Sequence, residues 1–584
     1  MKHRGILQLI LFILIIVFSG CNGYLDQVPD DRQTIDEVFQ KKGPSEEYLA
    51  SVYNYIRDES NQWAGNPWTG NTDEMDVAWA KYDIYRINIG NWNAADAPFG
   101  FWGYYYQGIR SATYFINHID HNDEILRLDG RKLIDQYKAE ARFLRAYYYF
   151  MLMRQYGPVV IVNNVLAADA PVSEFMLPRS PIDECVAYVV GQLDSAAAVL
   201  PLVSVQDRDF GRITKGIALS VKSRLLLYAA SPEYNGNKGF ADFKNLDGSP
   251  MISQTFSREK WKKAADAAKA VIDLGIYQLY KDPSGDLIKT QRDIFFSPWN
   301  KECIFVRKST NLSDWDIHCS LRRAGGWSGL GVTQEMVDAY FMKDGKSIYE
   351  SSLYTEIGFT NSVFNMYLNR EPRFYAAVTY NGRKYKSGAI TSDSVTVDLT
   401  YSGTDGKQIG GEDYTHTGYL IYKNLSPETN RLAWKFNNRP LVLIRLAEIY
   451  LNYAEALAEY GGTENESEAL TYLNLIRERA GIPQYGSGES PLPIPSGDEL
   501  IQKIRMERRV ELAFETQRWF DIRRWKIADK VMGDMHGMNI DKNGDEFYQR
   551  VVASNHTWKS AYYWWPIPQY EMDRSNLIVQ NPGW

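Results

Sequence analysis

Two stretches of the sequence place tryptophans beside short polar residues, a combination that suits the binding of sugars. A flat indole ring can cover the C–H face of a sugar ring, and Asn, Asp and Arg can hydrogen-bond the hydroxyl groups at its edge. Within residues 61–97, the rings and polar residues are Trp63, Trp68, Trp79 and Trp92 with Asn66, Asn71, Asp73, Asn91 and Asn93. In the second stretch they are Trp299, Trp315 and Trp327 with Asn300, Asn311, Asp314, Asp316, Arg322 and Arg323. The same rings could instead pack these loops onto helices, and the sequence leaves both interpretations open.

Motifs for catalysis are missing from the sequence. It contains no G-x-S-x-G nucleophile elbow, no H-E-x-x-H zinc motif and no phosphate-binding P-loop, and its seven histidines are dispersed. Acidic residues are plentiful, but none belongs to a recognisable glycosidase motif. We therefore expect a protein that is not an enzyme, with a glycoside hydrolase as the less favoured alternative.

Metal ions and cofactors are not expected. Asp541, Asn543 and Asp545 imitate the start of an EF-hand loop, but Glu546 stands where that loop needs glycine and Val552 where it needs glutamate. The histidines do not cluster, and no two cysteines form the C-x-x-C pair of a zinc or redox site. The sequence therefore predicts no metal and no cofactor.

Composition narrows the possible partners. The chain of 584 residues has a formal net charge of -7, which argues against a nucleic-acid partner, because such a protein needs a basic patch. Tyr and Trp are abundant, at 40 and 16 residues, and suit both core packing and wet binding surfaces. Cys303 and Cys319 could form a disulfide in an oxidising compartment, which the sequence does not decide.

The tryptophan-bearing loops interrupt a series of paired helical patterns. Apolar residues recur at three- and four-residue steps, and alanines recur where two helices must approach closely. The paired segments are residues 45–56 with 102–119, 132–155 with 181–200, 213–230 with 258–274, and 441–460 with 466–480. The pattern is similar to tetratricopeptide repeats. We therefore expect a mostly α fold built on four tetratricopeptide-like helical pairs.

An insertion separates the third helical pair from the fourth. Residues 281–438 are rich in Gly, Ser, Thr, Asp and aromatics, with short strands predicted at Cys303–Arg307 and Ala376–Tyr380. Long irregular segments in a compact protein are usually functional, so we expect the insertion to form a binding face. After the fourth pair, Glu507–Trp525 alternates acids and arginines, which on one helix predicts a structural charge network of the pairs Arg508–Glu511, Glu515–Arg518 and Asp521–Arg524.

The first residues are typical of a bacterial lipoprotein signal. A basic start at Lys2–Arg4 precedes the apolar run Leu9–Phe18, and Ser19 and Gly20 lead directly to Cys21. We expect Cys21 to be lipidated after cleavage and to anchor the chain to a membrane that it does not span. An ordinary signal peptide with a chance cysteine is the alternative.

Several segments resemble the SusD/RagB family of nutrient-uptake outer-membrane lipoproteins. They are YLDQVP (Tyr24–Pro29), AEARFLRAYYYFMLMRQYGPV (Ala139–Val159), IRLAEIYLNYAEAL (Ile444–Leu457), YLNLIRERAGI (Tyr472–Ile482), ERRVELAFETQRWFDIRRW (Glu507–Trp525), WPIP (Trp565–Pro568) and QNPGW (Gln580–Trp584). These motifs agree in order and span essentially the whole mature chain, so the resemblance is specific.

The resemblance implies a role and a division of the chain. The protein would capture a glycan (in some family members a peptide) at the cell surface and pass it to a SusC-like TonB-dependent transporter of the outer membrane. The regions would be a signal peptide at 1–20, a lipidated tether at 21–40, an N-terminal helical region at 41–280 with a binding loop at 61–97, the insertion at 281–438, and a C-terminal region at 439–584.

The resemblance also suggests where a ligand would bind. Family members often supply a stacking aromatic and an Asn neighbour from the first loop, which here corresponds to Trp92 and Asn93, with Trp68 as a further candidate. A second aromatic often comes from the insertion, where Trp315 and Trp327 are available. We expect Trp92 to face Trp327 or Trp315, and Trp92→Ala to weaken binding while the melting temperature stays nearly unchanged.

Overall fold

The computed structural model of the chain describes residues 35–167, 169–204, 209–297 and 299–584. The predicted signal peptide, the predicted lipidation site Cys21 and the YLDQVP segment lie outside the described residues. Within the described part, no helix has the length and apolar character needed to cross a bilayer.

Helices dominate the described structure, and they fall into three groups along the chain. Before the insertion they are α1 (Ile35–Gln40), α2 (Lys42–Tyr53), α3 (Asp83–Asn88), α4 (Trp102–His118), α5 (Asp123–Leu128), α6 (Arg131–Tyr156), α7 (Val172–Phe175), α8 (Ile182–Ala197), α9 (Lys215–Ala230) and α10 (Arg258–Ile272). Within the insertion they are α11 (Leu287–Asp293), α12 (Leu312–Cys319), α13 (Gln334–Ala339), α14 (Pro372–Ala377) and α15 (Lys407–Gly410). After it come α16 (Leu446–Tyr460), α17 (Thr463–Ala480), α18 (Gly497–Glu511), α19 (Arg518–Arg524), α20 (Ala528–Val531) and α21 (Gln569–Arg574).

Strands in the described residues are short and pair only two at a time, always antiparallel. The pairs are β1 (Met75–Val77) with β3 (Leu330–Val332), β2 (Cys303–Arg307) with β10 (Leu441–Arg445), β4 (Phe359–Thr360) with β5 (Val363–Phe364), β6 (Val378–Thr379) with β9 (Leu420–Ile421), β7 (Lys384–Tyr385) with β8 (Val395–Thr396), and β11 (Gly533–Met538) with β12 (Arg550–His556). Because these pairs are separate, the helices carry the architecture, and the predicted mostly α fold is confirmed.

Each predicted helical pair packs together in the structure: α2 with α4, α6 with α8, α9 with α10, and α16 with α17. The stack continues across the insertion, because α10 and α16 also pack against each other. The strand β2 leaves the scaffold where β10 returns to it, so the two strands form the neck of the insertion. The residues of β10 were predicted as the start of a helix; they are a strand because the apolar run Leu441–Arg445 finds a partner in β2.

In the part of the chain that the structure describes, buried side chains form two clusters. The first fills the helical scaffold and includes Trp92 and Trp565. The second lies largely in the insertion, but residues from both ends of the chain, such as Trp63 and Phe514, complete it. The insertion therefore shares its core with the rest of the molecule.

The predicted binding loop, residues 61–97, is for much of its length a buried bridge to the C-terminal region. Asp73 accepts hydrogen bonds from the Arg518 guanidinium at 2.7 and 2.8 Å, and Glu74 accepts one from the backbone N–H of Phe514 at 3.1 Å. Residues 66–79 are buried without interruption. Acidic side chains held by partners in the protein tie this loop inward instead of presenting it to solvent.

The charged C-terminal segment does not form one helix. The helix α18 ends at Glu511 and α19 begins at Arg518. Between them, Phe514 and Thr516 both adopt left-handed backbone conformations, with φ of 61°. This break turns the side chains on its two sides in different directions, so the expected facing pairs could not all form.

The predicted charge network is present, with partly different partners. Asp521 and Arg524 pair as expected at 2.8 Å. Glu511, however, pairs with Arg445 of the neck at 2.6 Å and with Arg479. Burial alone would raise the pKa of Glu511, but the two arginines hold it well below its usual range. A carboxyl that stays ionised in this way serves structure and not proton transfer.

Candidate ligand-binding site

An exposed tryptophan stands at the tip of a tight turn in the insertion. Asn430 and Lys435 form the two backbone hydrogen bonds of an antiparallel bridge, at 2.8 and 2.9 Å, and the Asn430 side chain accepts the N–H of Ala433 at 3.0 Å. At this tip Trp434 has a left-handed backbone, with φ of 51°, and is 74% exposed. Such a conformation costs energy in a bulky residue, and strain of this kind concentrates at functional sites.

A second tryptophan, Trp327, lies half-buried beside this turn. Gly325, at φ of 81°, turns the chain, and the N–H of Trp327 then donates to the carbonyl of Ile317 in α12 at 2.9 Å. A Cβ at Gly325 would meet Leu432 at 3.1 Å and Arg431 at 3.4 Å, so the two turns are in close contact. This contact places Trp327 next to Trp434's turn.

Arg431 joins the two rings. Its guanidinium carbon lies 5.7 Å from the ring centre of Trp327 and 5.8 Å from that of Trp434. These distances are in the range of cation–π contacts. Trp327, Arg431 and Trp434 are called the aromatic face below.

A neutral histidine supports the aromatic face from beneath. His318 stacks on Trp63 with ring centres 3.9 Å apart, and its edge meets the rings of Trp327 at 4.6 Å and Trp79 at 5.2 Å. Burial lowers the pKa of His318 to about 4, so the imidazole is uncharged at neutral pH. The Trp79 ring also lies against the backbone of Gly329, where a Cβ would come within 2.0 Å of it.

The structure places the predicted residues of the first loop elsewhere. Trp92 is 6% exposed and packs against the rings of Trp565 and Trp584, with centres 5.0 and 4.5 Å apart. Trp68 is 2% exposed and lies beside Trp565, with ring centres 5.5 Å apart. Asn93 is exposed, but its side-chain oxygen accepts the backbone N–H of Ala95 at 2.9 Å. Neither ring therefore offers an open face to a ligand in this structure.

Of the two predicted insertion tryptophans, one is enclosed. Trp315 is 2% exposed, and its indole N–H donates to the carbonyl of Lys423 at 3.3 Å. Both Trp315 and Trp327 pack with the second cluster, whereas Trp92 packs in the first. The expected arrangement of Trp92 opposite an insertion tryptophan is therefore not formed, because each is held in a separate core.

Trp434 and Arg431 were not among the residues predicted from the sequence. The sequence did contain a signal, because Trp434 lies between Asn430 and the pair Asn437–Asn438, the same mixture of residues that marked the other loops. The sequence did not reveal the left-handed backbone of this turn, which leaves the Trp434 ring exposed.

One cluster has the residue types of a hydrolase triad without its geometry. Ser554 Oγ and Asp76 Oδ1 both face Nε2 of His556, at 3.4 and 3.7 Å. The other ring nitrogen contacts the carbonyl of Thr72 at 2.9 Å. A catalytic histidine needs its acid and its nucleophile on opposite nitrogens, so this buried cluster cannot activate Ser554.

The EF-hand-like residues and the two cysteines have defined surroundings in the structure. Across the described ranges, no group of three or more His, Cys, Asp or Glu side chains is arranged to hold a metal ion. In the stretch that imitates an EF-hand, Asp541 pairs with Lys407 at 2.7 Å and Asn543 accepts from the backbone N–H of Ser402 at 2.9 Å. Cys303 and Cys319 are both free thiols.

Comparisons with known proteins agree over most of the chain. A family model described as "SusD family" matches residues 301–584, and one described as "Starch-binding associating with outer membrane" matches residues 23–227. The SusD-like protein P2 of Formosa agariphila is 25% identical over 477 residues, which cover 78% of this chain and 75% of that protein. The solved structure named BT4246 superposes with a TM-score of 0.83 at 27% identity, covering 93% of this chain and 99% of its own. A SusD-like protein from Bacteroides fragilis gives a TM-score of 0.76 at 26% identity, with 94% and 99% of the two chains covered.

Proposed function

The chain belongs to the SusD/RagB family, and on that premise we propose that it binds a glycan on the aromatic face, without converting it, and passes it to a TonB-dependent outer-membrane transporter. The observation that carries the proposal is Trp434, which is 74% exposed in a strained backbone conformation. The starch-binding description of the family model that matches residues 23–227 supports a carbohydrate as the ligand.

The aromatic face supplies the contacts that a sugar needs. The open face of Trp434 can stack on the C–H face of a sugar ring. The half-buried Trp327 adds a second ring to the aromatic face on the side nearer the protein core. By analogy with aromatic pairs, each stack contributes about 0.5–1.5 kcal/mol beyond simple burial. A site with two such contacts gives an affinity on the order of micromolar to millimolar, which suits a protein that must release its ligand to a transporter.

The test is calorimetric titration of the purified protein with a glycan panel, beside a peptide panel. We expect a glycan to bind. Trp434→Ala should weaken glycan binding about tenfold, because it removes about one stacking contact and the burial that goes with it. The melting temperature should not change, because Trp434 lies outside the core. The matched control is Tyr349→Ala, another aromatic residue, which is 84% exposed but lies on a different segment of the insertion.

Two results would contradict the proposal. Binding of peptides and of no glycan would favour the peptide-binding alternative on the same scaffold. Release of sugars that persists through repurification and scales with protein concentration would make the protein a glycoside hydrolase.

We further propose that the protein lies at the cell surface, anchored in the outer membrane through a lipid on Cys21. The description of the matched family model as associating with the outer membrane supports this location. A transporter partner would then lie beneath the bound glycan, and pull-down of the lipidated protein from outer membranes should recover a TonB-dependent transporter.

A further inference from the structure

We propose that Arg431 makes the aromatic face selective for acidic glycans, whose carboxylate or sulfate group it binds. This inference rests on the proposed function, because it names the class of sugar that the same face takes. A uronic acid and a sulfated sugar share the chemistry that matters, a compact anion at the edge of a sugar ring.

The first observation is that Arg431 has no partner for its charge. No hydrogen bond or ion pair joins its side chain to another described residue, and its shielded Nε atom has no acceptor. Two other arginines around the insertion have carboxylate partners: Arg439 pairs with Asp316 at 2.8 Å, and Arg323 pairs with Asp405. Arg322 and Arg383 also lack a carboxylate, but each donates to a backbone carbonyl, that of Gly410 and that of Val378, whereas Arg431 has no acceptor among the described residues.

The second observation is the orientation of the guanidinium. Trp327 and Trp434 lie within 5.7 and 5.8 Å of it, which restricts its movement without using its hydrogen-bond donors. The Nη groups of Arg431 bond no described residue and are not among its shielded atoms. A guanidinium positioned in this way can give two parallel N–H bonds to a carboxylate or a sulfate, the geometry in which arginine binds anions most strongly.

The third observation is that two acidic side chains bonded to residues around the aromatic face do not pair with Arg431. Asp413 accepts the indole N–H of Trp79 at 3.1 Å, and Glu428 accepts the amide of Asn437 at 3.2 Å. The exposed Lys435 follows Trp434 directly and adds positive charge beside the platform. A sugar stacked on Trp434 would thus bring its acidic group to an unneutralised cation.

The experiment compares acidic glycans with their own neutral forms. Uronic acid oligosaccharides and their carboxyl-reduced products, and sulfated oligosaccharides and their desulfated products, are titrated into the protein and into Arg431→Gln, Arg431→Lys and Arg110→Gln. Arg110 is an exposed residue of α4 in the helical scaffold and serves as the charge-matched control.

We expect the acidic form to bind more tightly than its neutral partner and to weaken as salt is raised. Arg431→Gln should weaken the acidic form about tenfold or more, the loss of charged hydrogen bonds, and the neutral form less than about twofold. Arg431→Lys keeps the charge but not the paired N–H donors of the guanidinium, so its affinity for the acidic form should lie between those of the parent and of Arg431→Gln. A carboxylate is the natural group if uronic acid oligosaccharides bind more tightly than their reduced products. A sulfate is the natural group if sulfated oligosaccharides bind more tightly than their desulfated products.

The failures of the two proposals can be told apart. If neutral and acidic forms bind equally, or Arg431→Gln weakens both alike, Arg431 is a structural support for the rings and the selectivity is refuted, while glycan binding stands. If no glycan binds, or if Trp434→Ala leaves glycan binding unchanged, the proposed function fails and this inference with it.

Discussion

Tryptophan occurs in two opposite environments in this protein, and its sequence neighbours do not distinguish them. Trp92 precedes an asparagine and is buried, whereas Trp434 has asparagines nearby and is exposed. Burial of Trp92 depends on Trp565 and Trp584, which are more than 400 positions away in the chain. A local pattern therefore predicts which residue types suit a sugar site, but not which of the rings remains uncovered.

The first prediction at the residue scale concerns Trp92, which we now expect to support the fold. Trp92→Ala should lower the free energy of unfolding by roughly 3–5 kcal/mol, because it leaves a cavity among packed rings. Urea unfolding measures this loss, and Trp434→Ala, which removes the same side chain from an exposed position, is the control. Weaker glycan binding by a Trp92→Ala protein of unchanged stability would restore the original expectation of a stacking role.

The second residue-scale prediction concerns pH. Burial raises the pKa of Glu74 to about 8, against the opposing effect of Arg518. Between about pH 4.5 and pH 8 the folded protein keeps a proton on Glu74 that the unfolded chain has lost. The folded state therefore binds more protons, and the free energy of unfolding should decrease as pH rises through this window.

Glu74→Gln tests this dependence, because it mimics the protonated carboxyl. The free energy of unfolding, obtained from urea titrations between pH 6 and pH 8, should decline less steeply in this variant than in the parent. The two slopes should differ by up to about 1 kcal/mol per pH unit. Glu184→Gln, at an exposed position of α8, should leave the slope as it is. An identical slope in Glu74→Gln and the parent would mean that Glu74 is ionised in the folded protein.

At the scale of elements, helices were predicted well wherever an apolar stripe has a local partner. The helix predicted at 102–119 is Trp102–His118, and that at 258–274 is Arg258–Ile272. The strand Cys303–Arg307 was also predicted correctly. The errors occur where a distant segment decides: Leu441–Arg445 is a strand because it pairs with β2, and the helix at Glu507–Trp525 is broken by left-handed residues that no periodicity reveals.

The element-scale prediction concerns the neck of the insertion. Arg445 in β10 pairs with Glu302 beside β2 at 2.7 Å, with Glu511 of α18 at 2.6 Å and with Glu515 at 2.7 Å. Replacing it by methionine removes the cation that these three carboxylates share and leaves them with Arg479 and Lys423. Removal of one partner from a buried charge cluster costs about 3–5 kcal/mol, so Arg445→Met should unfold at much lower urea than the parent.

A surface ion pair is the control for that experiment. Lys222 pairs with Asp194 at 2.7 Å in the exposed part of the scaffold. Lys222→Met should leave the urea midpoint nearly unchanged, because exposed pairs contribute little. Equal effects of the two substitutions would mean that the neck does not depend on its charges.

At the scale of the whole molecule, the described helices form a stack, and the insertion leaves and rejoins it at the neck of β2 and β10. The aromatic face lies in the insertion, whereas α10 and α16 continue the helical stack by packing against each other. Ligand contacts can therefore vary in the insertion without changing the order of the helices. The core of the insertion, however, needs Trp63 and Phe514 from outside it, so the insertion is not an independent domain.

The whole-molecule prediction concerns the membrane anchor. Cys21→Ala should move the protein from the membrane fraction to the soluble fraction of cells, because acyl chains on this cysteine would supply the anchor. Fractionation followed by immunoblotting measures the change, and Cys303→Ser is the control for loss of a thiol. Retention of Cys21→Ala in membranes of cells that lack the transporter would refute the lipoprotein assignment.

The burial of residues 61–97 against the C-terminal region sets the order in which the chain can fold. The Trp565 indole N–H donates to the carbonyl of Pro98 across 467 residues, and Arg518 bonds Asp73 across 445. Contacts between such distant segments form late, because closing a long loop costs entropy. As the chain emerges from the ribosome, Trp92 lacks its partners Tyr562, Trp565 and Trp584 until almost the last residues follow. Trp68 has Phe101 by then but not Trp565. Until then apolar ring surface stays exposed, and we expect a chain that stops before Trp565 to aggregate more readily than the full chain.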